Sequence, residues 1–183
     1  MEHSEENGEM NWWVLRDLKR PNARKPAYRQ LEEACFEVFV PMKKVLVMRQ
    51  GRRCREQVPV IRDLLFVHST RELLDEEVEN TPTLQYRYIT GAAYRTPMTV
   101  RKAEMQRFIR AVESSCSDPI YYTMEEISPD KYGREVQIVG GNLDGYTGRL
   151  LRVQGSRARR LIVELPGFFA AGVEVRPEYV QFV

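Results

Sequence analysis

The stretch Gly133-Arg-Glu-Val-Gln-Ile-Val-Gly-Gly-Asn-Leu-Asp-Gly-Tyr-Thr-Gly148 restricts the possible folds more than any other part of the chain. Val136 and Ile138 alternate with Glu135 and Gln137, and a period of two means a strand with one buried face. Gly140, Gly141 and Asn142 accept the positive φ that a sharp reversal needs. Gly145 and Gly148 bend the chain again, and Arg149-Leu-Leu-Arg-Val153 begins a returning strand. This turn is not a phosphate loop: it lacks Gly-Lys-Ser/Thr and leads into a strand rather than a helix.

Further short strands are expected over 147–153, 160–165, 173–176 and 180–183, separated by Gly- and Pro-containing turns. Such a series describes a small antiparallel barrel of SH3 type, whose closure removes exposed strand edges. In Pro166-Gly-Phe-Phe-Ala-Ala-Gly172, two phenylalanines fall in a turn. They serve either to cap the barrel core or as an aromatic anchor for a partner, and Leu165 adjoins them.

The first part of the chain reads differently. Asn11-Trp-Trp-Val-Leu-Arg16 is rich in β-forming residues. A polar loop over 19–25 follows, and Pro26 can open a helix at its first turn. Tyr28, Leu31, Cys35 and Phe36 share one helical face. Glu37-Val-Phe-Val-Pro41 is a strand that Pro41 ends or confines to an edge. Strands at 45–48 and 57–60 form a hairpin whose basic tip lies at Gly51. Leu64-Leu-Phe-Val67 is apolar throughout and so a central strand. A short acidic helix at 73–78, a strand at 86–89, and Pro97-Met-Thr-Val100 leading into a helix through about Ser115 complete this part. Strand, helix, strand, hairpin, strand, helix, strand, helix suggests a split-βαβ sandwich, so the fold class is α+β, a sandwich followed by a small barrel. Residues 1–10 are expected as a disordered tail, 11–116 as the first domain, 117–131 as a linker with Tyr121 and Tyr122 available to dock it, and 132–183 as the barrel.

Composition narrows the function classes. With 43% apolar and 30% charged residues, the chain has the makings of a folded core. No apolar run approaches the roughly 20 residues of a membrane span, and the acidic N-terminus has no signal-peptide character. Cys35, Cys54 and Cys116 show no paired spacing and are expected as free, buried thiols in a reducing cytoplasm. His3 and His68 are the only histidines, so neither a catalytic set nor a metal site is expected, and no cofactor. Basic residues gather at 19–29 and 43–55 and acidic ones at 72–79. These blocks read either as opposed functional faces or as plain solvated surface.

The glycine-rich strand-turn-strand resembles the KOW motif of the NusG family. Trp12-Trp-Val14, Phe39-Val-Pro41, the Met48-Arg-Gln-Gly-Arg-Arg53 hairpin, Asn80-Thr-Pro82, and Pro97 before the last helix are similar to that family's amino-terminal domain. One departure stands out. The family has Phe-Pro-Gly-Tyr before the central strand, and here the position reads Ile61-Arg-Asp-Leu64. The resemblance implies a cytoplasmic, monomeric transcription elongation or antitermination factor, and its divergence points to the specialised paralogues that serve long surface-polysaccharide operons. It implies docking on the RNA polymerase clamp through Trp13, Phe39, Pro41, Ile61 and Leu64, and a gate contact through Asn80 and Thr81. Lys19, Arg20, Arg24, Arg49, Arg52 and Arg53 would lie near non-template DNA or nascent RNA. The barrel would meet a ribosomal protein or a termination factor through Leu165, Phe168 and Phe169. In one branch of the family this domain refolds as a helical hairpin; the β-branched residues and glycines here favour the barrel. The alternative is a KOW-type RNA-binding protein of the ribosome, for which Arg157, Arg159 and Arg160 would form a basic barrel face.

Overall fold

A computed structural model describes residues 8–19, 25–91, 95–127, 133–152 and 158–183. Arg20, Arg24, Arg157 and most of the expected N-terminal tail lie outside the described residues. The elements divide between two compact units, one of residues 1–42 and 57–105, the other of residues 43–56 and 106–183.

The first unit holds β1 (Asn11–Asp17), α1 (Ala27–Glu33), β2 (Glu37–Phe39), β5 (Leu64–Ser69), α2 (Arg71–Asn80), β6 (Leu84–Tyr86) and β7 (Thr99–Val100). Its five-stranded sheet runs β2-β5-β1-β6, with β7 also paired to β1. The pairing is antiparallel: Trp12 faces His68, Val14 faces Phe66, and Arg16 faces Leu64. Alternation divides the central strands into two faces. Trp13, Leu15, Leu65 and Val67 join Ala27, Leu31, Leu74, Leu84 and Tyr86 in one buried cluster, the face that α1 and α2 cover. Trp12, Val14, Leu64 and Phe66 occupy the other face and are also buried. β1 and β5 are apolar on consecutive positions because both their faces are removed from water.

Local chemistry sets the helix ends. Ala27 N–H, at the start of α1, donates to Asp17 Oδ2 at 2.7 Å, and Lys19 N–H donates to Asp17 Oδ1 at 2.9 Å. One carboxylate thus gathers both ends of the basic loop. Thr70 caps α2, its hydroxyl accepting from Leu73 N–H at 3.5 Å. Tyr86 Oη donates to Asp75 at 2.8 Å and fastens α2 to β6. Burial, and then the bond to Asp75, push the Tyr86 hydroxyl well above its ordinary pKa.

The second unit contains the hairpin β3 (Met42–Arg49) and β4 (Arg52–Pro59), most of α3 (Lys102–Glu113), and β8 (Ile120–Thr123), β9 (Glu135–Ile138), β10 (Thr147–Arg152), β11 (Arg159–Leu165), β12 (Phe169–Val175) and β13 (Val180–Phe182). Six strands form an antiparallel sheet ordered β13-β9-β10-β11-β12-β8. β8 falls inside the stretch expected as a linker. Its Tyr121 and Tyr122 pair with Ala171 and Ala170 of β12. The segment lacks an alternating pattern because β8 is an edge strand of only four residues.

The glycine turn is built as its residues require. Gly140, Gly141 and Gly145 have φ of 95°, 71° and 79°. A Cβ on Gly141 would stand 2.9 Å from the ring of Tyr179, and one on Gly148 2.7 Å from the Ile162 carbonyl of the neighbouring strand. Gly145 N–H returns to Ile138 O at 2.8 Å and closes the reversal. β12 begins at Phe169, four residues before the strand expected at 173, because Phe169, Ala170 and Ala171 are all buried. The α+β class expected from the sequence, with a KOW-type β domain after the sandwich, is therefore what the chain adopts.

The cysteines differ from expectation. Cys35, Cys54 and Cys116 are free, but all three are exposed rather than buried. Cys35 sits just beyond α1 with φ of 65°, a left-handed position that ends the helix, and Cys54 lies on the hairpin.

Candidate functional site

Four of the expected docking residues meet at one end of the first sheet. Phe39 pairs with Phe66 across β2 and β5, their rings 6.3 Å apart. Pro41 O accepts from Val60 N–H at 2.8 Å, and Ile61 O accepts from Leu64 N–H at 3.3 Å. The turn before β5 therefore carries Ile61 and Leu64 beside Pro41. Phe39 and Ile61 are half-buried, whereas Pro41 and Leu64 are buried. Trp13 lies elsewhere. It faces the helices, its indole N–H donates to Ser69 O at 2.9 Å, and its ring meets Tyr86 edge-on. The tryptophan on Leu64's face is Trp12, stacked on His68 with centroids 5.0 Å apart. Counting alternate residues back from Arg16, opposite Leu64, would have singled out Trp12 over Trp13.

The turn itself is held by charge. Asp63 Oδ2 accepts from Arg16 Nε at 3.3 Å and from Arg87 Nη2 at 3.1 Å, and Asp63 O accepts from Asp17 N–H at 3.1 Å. Nothing in the local sequence announces these partners. His68 Nδ1 lies 2.7 Å from Glu37 Oε2 on the same two strands as Phe39 and Phe66.

Asn80 is exposed at the end of α2, and Thr81 closes the helix while accepting from Leu84 N–H at 2.8 Å. The pair sits on a loop whose helix is anchored through Leu74 and Asp75.

The basic hairpin turns through Gln50 and Gly51, both with positive φ (49° and 77°), the two-residue loop that suits the twist of paired strands. Its strands are eight residues each, longer than the apolar runs within them suggested. Arg49 pairs with Glu56 at 2.9 Å. Arg52, Arg53 and Arg55 are exposed and, among the described residues, form no ion pair. Leu46 and Met48 share a face of β3 and are 69% and 65% exposed, and the two-residue loop sets Arg55 and Arg53 opposite them on β4. Lys19 is half-buried and donates through Nζ to Lys25 O.

In the second unit, Leu165 and Phe169 are core residues. The rings of Phe108 and Tyr121 meet Phe169 edge-on at 5.3 and 5.8 Å. Burial pushes the Tyr121 hydroxyl up to about 12. Phe168, in the preceding turn, is half-buried and the more accessible of the pair. Tyr146 of the glycine turn donates to Arg107 O at 2.9 Å beneath the Arg107 guanidinium. Arg160 is engaged internally, its Nη1 donating to Asp118 O and Gly172 O. It is thus no free basic group on a barrel face. Among the described residues no cluster of three or more His, Cys, Asp or Glu could hold a metal. No helix among them is long and apolar enough to cross a membrane.

A comparison with curated proteins finds no match. Among solved structures, the chain is similar to one described as "Domain interaction in Thermotoga maritima NusG". The two share 14% identity over 96% of this chain and 98% of that one, with a TM-score of 0.52. This likeness speaks to the fold. The family model described as "Transcription termination factor nusG" matches residues 10–109, the span that carries β1 through most of α3. Since that match takes in more than half of the 183 residues, the chain belongs to the NusG family of transcription factors.

Proposed function

We propose that the chain is a transcription elongation factor that docks on RNA polymerase through the Phe39, Pro41, Ile61 and Leu64 end of its first sheet and suppresses pausing and termination. The observation that carries this reading is the convergence of these four residues on one turn, within the span matched by the family. Phe39 and Ile61 supply the accessible apolar surface, while Pro41 and Leu64 hold it from beneath. Asn80 and Thr81 reach a second part of the enzyme, so that the factor bridges the cleft. A ligand that binds the closed clamp better than the open one shifts the population toward the closed, processive state.

The free arginines of the hairpin face nucleic acid, and phosphate neutralisation there makes association salt-dependent. Phe168 marks the barrel's contact with a ribosomal protein or termination factor. The divergence at Ile61–Leu64 supports a specialised paralogue acting on particular long operons, such as those for surface polysaccharides.

The test is co-purification with core RNA polymerase. Wild-type chain is expected to be retained and Ile61→Asp to be lost, with an unchanged melting temperature for the variant. Retention of Ile61→Asp at wild-type level would remove this surface from the contact. Recovery of ribosomal particles instead of polymerase would favour the RNA-binding alternative.

A further inference from the structure

The geometry points to Asp63 as a positioning residue. Its carboxylate, shared by Arg16 and Arg87, sets the turn that presents Ile61 to the polymerase. This inference rests on the docking surface proposed above.

The turn joining β4 to β5 contains neither glycine nor proline, and none of residues 60–63 is among those with positive φ. Its backbone stays in ordinary right-handed or extended regions, so no residue forces its shape. Ordering such a segment costs about 1–2 kcal/mol per residue in backbone entropy. The local hydrogen bond that spans it, Leu64 N–H to Ile61 O, is 3.3 Å long and weak as such bonds go. The shape must therefore be imposed from outside.

Asp63 supplies that constraint. One carboxylate oxygen takes hydrogen bonds from Arg16, at the end of β1, and from Arg87, just beyond β6. The Asp63 carbonyl takes a third from the Asp17 amide. Two segments distant in sequence, the end of β1 and the stretch after β6, thus meet on one residue. The side chains are only partly exposed, 34% for Asp63 and 29% for Arg87, so solvent weakens these charge-assisted bonds without abolishing them. Arg87 Nε is buried without a partner, so its guanidinium depends on Asp63 for the contact it does make. Removing the carboxylate would also leave two like charges facing each other across the turn. Asp63 is two residues from Ile61, and Val60 N–H binds Pro41 O. A turn released at Asp63 keeps only the Val60–Pro41 tether, so Ile61 loses its fixed placement beside Pro41 and Phe39.

The experiment compares wild type, Asp63→Asn, Asp63→Ala and Asp63→Glu in binding to core RNA polymerase, alongside melting temperature and amide exchange at Asp17 and Leu64. Asp63→Asn keeps the shape and loses the charge. About tenfold weaker binding is expected for it, with faster exchange at those two amides, near-wild-type melting and partial rescue in Asp63→Glu. Wild-type affinity in both Asp63→Asn and Asp63→Ala overturns the proposal. So does a loss of binding that simply follows loss of melting temperature across all three variants, which would make Asp63 a stability residue alone. If the wild-type chain does not bind polymerase, the docking reading itself fails and this inference fails with it. Failure of the inference alone is recognised by wild-type binding that Asp63 variants share.

Discussion

Two turns in this molecule do the same job by different physics. The reversal after β9 is specified by its own residues: three glycines with positive φ, two of them, Gly140 and Gly141, against the ring of Tyr179. The turn before β5 has no such residue and is held by Asp63 between two arginines that lie 47 and 24 positions away in the chain. The first is a local device, short in range: its glycines supply the backbone shape, and Asp144, four residues from Gly140, accepts from the Gly140 N–H at 2.6 Å. The second is an electrostatic device, assembled only when β1 and the segment after β6 are in place.

The largest effect is expected just past this turn, where Gly148 of β10 lies close against the neighbouring strand. Gly148→Val would drive a branched side chain toward the Ile162 carbonyl, and a loss of about 3 kcal/mol is expected, the upper range for overpacking, read by denaturant unfolding. A smaller effect separates the two demands on these glycines. Gly145 has open space around it, so Gly145→Ala should cost only the left-handed backbone penalty, about 1 kcal/mol. Gly141→Ala has the same penalty plus the Tyr179 contact and should cost about 2 kcal/mol. Equal losses at the two positions would show that the ring contributes nothing.

Alkali probes the packing of the second sheet. Tyr121 in the second sheet titrates near 12 when folded, against 10 when exposed. Between those values the unfolded chain has released the proton and the folded chain has not, so stability falls as pH rises through that window. Ultraviolet titration of the phenolate in wild type and Tyr121→Phe would check this, and a Tyr121 that ionises near 10 would contradict its burial.

The smallest expected effect concerns salt. Shrinking the Debye length from about 10 Å to about 3 Å should speed exchange at Asp17 and Leu64 severalfold and leave Gly145 unchanged. Equal sensitivity of all three amides would erase the distinction between the two turns.

The same contrast explains what could be read from the sequence. The glycine turn, the apolar β5, the helix opened at Pro26 and the two-residue hairpin loop rest on neighbouring residues, and each is visible as a local pattern. The site is less legible. Phe39, Pro41, Ile61 and Leu64 enter only through the resemblance, as residues proposed for docking, and the Asp63 pairing depends on Arg16 and Arg87, which no spacing rule connects to it. The choice between Trp12 and Trp13 depends on the register with β5, which only the paired strands reveal. β8 is not legible as a strand, because four residues at a sheet edge leave too short a pattern. The exposure of all three cysteines likewise follows from where the chain turns, not from their chemistry.

One detail of strand order bears on how the second sheet comes into being. β9 lies between β10, its next neighbour in the chain, and β13, which is made much later. The meander from β9 through β12 can zip up from nearby contacts as it emerges from the ribosome. The outer flank of β9 must then wait, its amides and carbonyls bare, until Val180–Phe182 arrive. During that interval the nascent chain carries an adhesive border that a neighbouring nascent chain could also fill.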